Sequence, residues 1–109
     1  MSLSASQQQF AVMVAKLIMH VQSLPGYAVT FGEAHRTPEQ AALYAAQGKG
    51  SKTSLHCHRL AVDLNLFVDG EYQTSTMAYK ALGDFWKSLG GTWGGDFPRA
   101  DGNHFEYRG

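Results

Sequence analysis

The chain has 109 residues, 44% hydrophobic and 17% charged, and its nine basic and nine acidic side chains cancel to no net charge. Those values exclude a disordered chain and give no global attraction to nucleic acid or to an anionic membrane. One cysteine excludes an intrachain disulfide, so the fold must rest on a hydrophobic core, which a single domain over 1–109 is long enough to build.

Residues 1–9 carry no cationic region, and the apolar run after them is broken by Lys16 and His20. Neither an export signal nor a stable membrane insertion is expected. Phe10, Val14, Leu17, Val21 and Leu24 recur at helical spacing, which predicts a helix over 6–23 stopped by Pro25-Gly26. Tyr27–Phe31 is a short β-rich run. Thr37-Pro38-Glu39-Gln40 has the form of a helix start, with Thr37 as N-cap, and that helix should end at Gly48. A polar loop over 48–54 follows, with Lys49, Lys52 and Arg59 forming a basic segment around His56 and His58.

Residues 60–68 read as a strand, with Ala61, Asp63 and Asn65 on one face and Val62, Leu64 and Leu66 on the other. Asp69-Gly70 signals a hairpin turn through Glu71-Tyr72-Gln73. Residues 76–89 suit an amphipathic helix that offers Met77, Leu82, Phe85, Trp86 and Leu89 for burial. Gly90-Gly91 ends it, Trp93-Gly94-Gly95 reads as a tight loop, and 103–107 as a closing strand. The expected class is α+β, a small antiparallel sheet packed against about three helices.

Asp63 stands among Val, Leu and Phe, where a carboxylate is costly to bury unless paired, hydrogen-bonded or bound to metal. His56 precedes it by seven residues. His104 and Glu106 share one side of the final strand. If the two strands are neighbours, His56, Asp63 and His104 converge on one ion, and two imidazoles with one carboxylate suit zinc with a position left open. The same residues also admit a plainer arrangement, with His56 and His58 solvated and Asp63 capping a turn. Cys57, alone, cannot supply a structural zinc site.

Ser54-Leu55-His56, Ala61 and Asp63 resemble the SxHxxGxAxD signature of the zinc D-alanyl-D-alanine and L-alanyl-D-glutamate peptidases, the LAS-type metallopeptidases. Asp101-Gly102-Asn103-His104 resembles the later acidic-x-x-His element of that family. Arg36-Thr37-Pro38-Glu39-Gln40 resembles its upstream helix start, and Trp93-Gly94-Gly95-Asp96-Phe97 the WGGDF stretch of the phage endolysin branch. The matches keep family order from Arg36 to Glu106. Arg59 stands where the signature has glycine, and Asn103 where proline or tryptophan is common.

The resemblance implies a LAS-type fold whose sheet carries one catalytic Zn2+, held by His56, Asp63 and His104, with His58 the rival loop histidine. It implies Asp101 as general base and Arg36 as the group that hydrogen-bonds the scissile carbonyl. Ser54 and Gln40 would be supporting positions near the metal loop. Apart from the resemblance, His35 beside Arg36 is a candidate for reaching the site or for packing only, Glu106 for orienting a histidine or for a surface ion pair, and Trp93 in its glycine loop for lining a substrate groove. The implied activity is peptidoglycan L-alanyl-D-glutamate endopeptidase of the phage lysis type, acting on the stem peptide as a monomer. Such an enzyme would stay in the host cytoplasm until a holin opens the membrane. A D-alanyl-D-alanine carboxypeptidase or dipeptidase, and a zinc-containing cell-wall-binding module without turnover, are the alternatives.

Overall fold

The computed structural model describes residues 2–50 and 54–109. Its elements are α1 (Leu3–Gln22), β1 (Tyr27–Phe31), α2 (Pro38–Ala46), β2 (Ala61–Val68), β3 (Glu71–Tyr72), α3 (Lys80–Ser88), β4 (Thr92–Trp93) and β5 (His104–Glu106). Three short 3-10 turns, Leu55–His58, Thr76–Tyr79 and Gly94–Asp96, lie between them. The class is α+β, as expected. The sheet is antiparallel throughout, in the order β1-β2-β5-β4, with β3 paired to the end of β2. No helix among the described residues is long and apolar enough to cross a membrane.

Local chemistry sets most boundaries. Ser2 caps α1 by accepting the Ala5 N–H, so the helix starts earlier than its apolar stripe. Thr37 Oγ1 accepts the Gln40 N–H at the start of α2, and Pro38 occupies the first turn. Asp69 and Gly70 both adopt positive φ, 51° and 83°, which suits the tight hairpin between β2 and β3.

One face of the sheet packs on helices. Phe10, Met13, Leu17 and Val21 of α1 meet Val62, Leu64 and Leu66 of β2, Phe105 of β5, and Leu82 and Trp86 of α3 in a single core. Trp86 stands edge-on to both Phe10 and Phe105. Its indole N–H is shared between the carbonyls of Glu106 and Thr92, at 2.9 and 3.1 Å, which ties α3 to the β4–β5 edge.

Two expectations are corrected. Residues 76–79 form a 3-10 turn instead of the first turn of α3. Three residues per turn shifts the side-chain phase, so Met77 is 73% exposed while Tyr79 is buried. Trp93 lies in β4 opposite Phe105, which turns its indole into the core, 5% exposed, with its N–H donated to the Gly102 carbonyl at 2.7 Å. It is therefore not a groove residue.

Arg59 adopts φ 57° and ψ 38°, the left-handed conformation. The loop thus follows the path a glycine would favour, and the arginine carries its strain. Left-handed backbone costs a side-chain-bearing residue roughly 1–2 kcal/mol, offset in part by the roughly 0.5–1 kcal/mol that glycine's freer unfolded chain costs. Arg59→Gly should raise Tm by a few degrees in a thermal melt. Phe105→Ala, which empties the centre of the core, should cost about 3–5 kcal/mol in urea unfolding.

Candidate metal centre

The face of the sheet opposite the helices carries the chemistry. Antiparallel pairing of β2 with β5 sets Asp63 directly across from His104 and Ala61 across from Glu106. Paired residues point to the same side, so these four share a face while Val62 and Phe105 fill the core behind them.

His56 arrives from the 3-10 turn Leu55–His58. Ser54 Oγ caps that turn by accepting the His56 N–H at 3.2 Å. The chain after β1 is laced to both the turn and β2: the Arg36 N–H donates to the His56 carbonyl at 3.1 Å, and the Gly32 N–H to the Asp63 carbonyl at 2.8 Å. His56 is only 2% exposed.

The three side chains meet at one oxygen. His56 Nε2 and His104 Nδ1 lie 3.2 and 3.3 Å from Asp63 Oδ1, and one ligand atom from each residue lies within 4.8 Å of the others. On its far side, His104 Nε2 is 2.7 Å from Glu106 Oε1, and Glu106 Oε2 accepts from Arg108 Nε. Glu106 therefore fixes the ring and places the shared proton on Nε2, leaving Nδ1 to face the site, as carboxylates behind metal-binding histidines do. His56 Nδ1 has no hydrogen-bond partner among the described residues. Two nearly buried imidazoles and a carboxylate converging on one point fit a divalent metal with nitrogen and oxygen preference, zinc above all.

The electrostatics agree with the geometry. Burial alone would raise Asp63, but hydrogen bonds with His104 and His56 outweigh it and hold the carboxyl at about 2. Burial alone would lower His104, but Asp63 and Glu106 outweigh it and raise the imidazole to about 9. Asp101 is pushed up, first by burial and then by the nearby charge of Asp63, with His104, His56 and Arg36 pulling the other way.

An open cavity of about 960 Å³ lies over this centre. Arg36, Ser54, Asp101 and Glu106 line it with the three convergent residues, and Lys49, Arg99 and Arg108 add positive charge. Asp101 is held by its backbone, whose N–H donates to the Gly94 carbonyl while its own carbonyl accepts the His104 N–H. Gly94 leaves no space there: a Cβ would sit 2.3 Å from the Asp101 carbonyl oxygen and 2.8 Å from His104 Cβ. Arg36 lies over the Tyr44 ring, 5.1 Å from its centroid, and donates from Nε to Glu33 Oε1.

Several sequence candidates fall elsewhere. His58, His35 and Arg59 are exposed and absent from the cavity wall, so the loop histidine that meets Asp63 is His56. Gln40 contributes its backbone N–H to the α2 cap and is likewise off the wall. Cys57 Sγ faces the Thr37 carbonyl. Lys52 lies outside the described residues. Glu33 escaped the sequence reading; its one signal was a carboxylate three residues before Arg36.

In the metal-free protein at neutral pH, His104 holds a proton that it releases only near pH 9, and a metal must displace it. Below that point the site binds metal more weakly as pH falls. Zinc uptake at neutral pH should release about one proton per ion, and affinity should climb about tenfold per pH unit toward pH 9. Calorimetry in two buffers of different ionisation enthalpy measures the release; none at neutral pH would contradict the assignment.

Among solved structures, the chain is similar to the L-Ala D-Glu endopeptidase ChiX of Serratia marcescens. The TM-score is 0.72 at 18% identity, covering 90% of this chain and 77% of that one, a likeness of fold. No curated protein matches the chain. A family model described as D-alanyl-D-alanine carboxypeptidase matches residues 47–107, a stretch that carries His56, Asp63, Asp101, His104 and Glu106 but neither Arg36 nor Glu33. With more than half its length matched, the chain belongs to this peptidase family.

Proposed function

We propose that the chain is a zinc-dependent peptidoglycan endopeptidase that hydrolyses the L-alanyl-D-glutamate bond of the stem peptide. The observation that carries this reading is one open cavity holding the His56–Asp63–His104 convergence together with Asp101 and Arg36. Its roles are those of a hydrolase: ligands, a base and a donor for the carbonyl oxygen.

His56 Nε2, Asp63 Oδ1 and His104 Nδ1 would hold zinc. The bound ion supplies Lewis acidity for the scissile carbonyl and the attacking water. Asp101 takes a proton from that water and returns it to the leaving amine, so the carboxylate ends the cycle as it began. In the metal-free protein, partial burial and the neighbouring Asp63 charge raise its carboxyl above the ordinary aspartate value, the direction a base requires. Arg36 donates to the carbonyl oxygen as negative charge develops, and loss of one such donor typically costs about 10²–10³ in kcat. Glu106 keeps His104 in register. Lys49 and Arg99, on the cavity wall, suit a substrate rich in carboxylates, which the stem peptide is.

The resemblance of Trp93–Phe97 to the endolysin stretch supports a phage or prophage lysis enzyme. It would act as a monomer, kept in the host cytoplasm until a holin opens the membrane. A D-alanyl-D-alanine carboxypeptidase is the second reading, favoured by the description of the matched family.

Mass spectrometry of purified peptidoglycan, incubated with zinc-loaded protein beside an Asp101→Ala control, tests both. Stem peptides newly beginning at D-glutamate are the expected product, with turnover lost in Asp101→Ala while zinc stays bound. Loss of terminal D-alanine alone would replace the first reading with the second. No cleavage with zinc bound would leave a cell-wall-binding module.

A further inference from the structure

His104 has a carboxylate behind it, and that carboxylate has an arginine: Nε2 to Glu106 Oε1, then Glu106 Oε2 to Arg108 Nε. The same three residue types recur behind His56. Glu33 Oε1 accepts from Arg36 Nε and lies 3.9 Å from His56 Nδ1. Only the last link differs, since 3.9 Å is too long for a hydrogen bond.

Three observations give that gap meaning. His56 Nδ1 is the one buried side-chain nitrogen or oxygen without a partner among the described residues. With Nε2 facing Asp63 as a lone-pair donor to metal, the neutral ring must carry its proton on Nδ1. A buried, unpaired N–H is costly, and the Glu33 carboxylate is the nearest acceptor the structure records for it. Glu33 is also anchored where it stands. Its carbonyl accepts the Asp63 N–H at 2.8 Å while the neighbouring Gly32 N–H donates to the Asp63 carbonyl, so its backbone is pinned to the strand that carries the central carboxylate.

Resting on the proposed zinc peptidase activity, we infer that Glu33 is a positioning residue whose single carboxylate holds both the Arg36 guanidinium and the Nδ1 side of the His56 ring. It thereby ties the metal-binding histidine to the carbonyl-binding arginine. Glu33 touches neither metal nor substrate. It acts through the two residues that do, and it lies upstream of the stretch that the family model covers.

The test compares Glu33→Ala, Glu33→Gln and Arg36→Ala with the wild type in two readouts. One is zinc affinity, from competition with a chromophoric chelator; the other is kcat and KM on a purified muropeptide at saturating zinc. Glu33→Ala should weaken zinc about 10–100-fold, the usual cost of removing a carboxylate behind a metal-binding histidine. It should also lower kcat by about 100-fold through a misplaced guanidinium, with KM little changed. Arg36→Ala should lower kcat and leave zinc affinity intact. Glu33→Gln, whose amide oxygen still accepts one hydrogen bond, should fall between, and being of the same shape it carries the test if Glu33→Ala does not fold. Exposed Glu39→Ala should match the wild type in both readouts.

Wild-type zinc affinity in folded Glu33→Ala and Glu33→Gln would overturn the hold on His56. Unchanged kcat in both would overturn the hold on Arg36. If the wild type cleaves nothing, the activity reading fails, and the zinc comparison still decides the role of Glu33 toward His56.

Discussion

The pairing of β2 with β5, in the register that sets Asp63 opposite His104, is the constraint on which the rest of the molecule depends. A slip of one residue would turn every side chain of the slipped strand to the other face. Asp63 would then enter the core and Val62 the cavity. Two features secure the register. Behind the strands, Val62, Leu64 and Phe105 are fully packed against α1 and α3. At the strand end, the Trp86 indole N–H binds the Glu106 carbonyl. The site is thus held by the core without belonging to it.

Concentrating ionisable groups on a half-buried face is costly, and the site offsets that cost by partnering them. Asp63 faces two imidazoles, His104 lies between Asp63 and Glu106, and Glu106 lies between His104 and Arg108. Together these bonds outweigh burial and favour the ionised forms of Asp63, His104 and Glu106. Asp101 stands apart. Its carboxylate has no side-chain hydrogen bond among the described residues, and burial with the charge of Asp63 raises it. Structural carboxylates here are paired and acidic; the one facing the cavity free of such bonds is more basic. On the proposed function, that division separates the groups that hold from the group that would move a proton.

The departures from the family signature are local and have physical consequences. Arg59 keeps the left-handed turn of the glycine it replaces, so the loop still delivers His56 at the cost of some strain. Asn103 keeps the strand in place through its carbonyl, which accepts the Leu64 N–H at 2.9 Å.

Much of this was legible in the sequence because the determining forces are local. The Thr37 cap, the Asp69-Gly70 turn and the alternation along β2 each involve residues within a few positions of one another, and each stands where the sequence places it. The helical stripe of α1 was readable for the same reason, although its start depended on the Ser2 cap and not on apolar spacing. Residue types also announced the chemistry, since Asp63 in an apolar strand demands a partner. Other features required the folded chain. Trp93 is a core residue only because two-residue β4 pairs with β5, and Met77 is exposed only because a 3-10 turn shifts its phase. The register of Ser54, Ala61 and Asp63 already favoured His56 over His58, but the approach of Glu33 to His56 depends on the chain after β1 folding against β2 and the turn before it. Sequence determined which groups were available and which secondary structures carry them. Strand register and long-range packing decided which of those groups meet, because hydrogen bonds and ion pairs form over a few ångströms while the residues that make them lie far apart in the chain, 41 positions for Asp63 and His104.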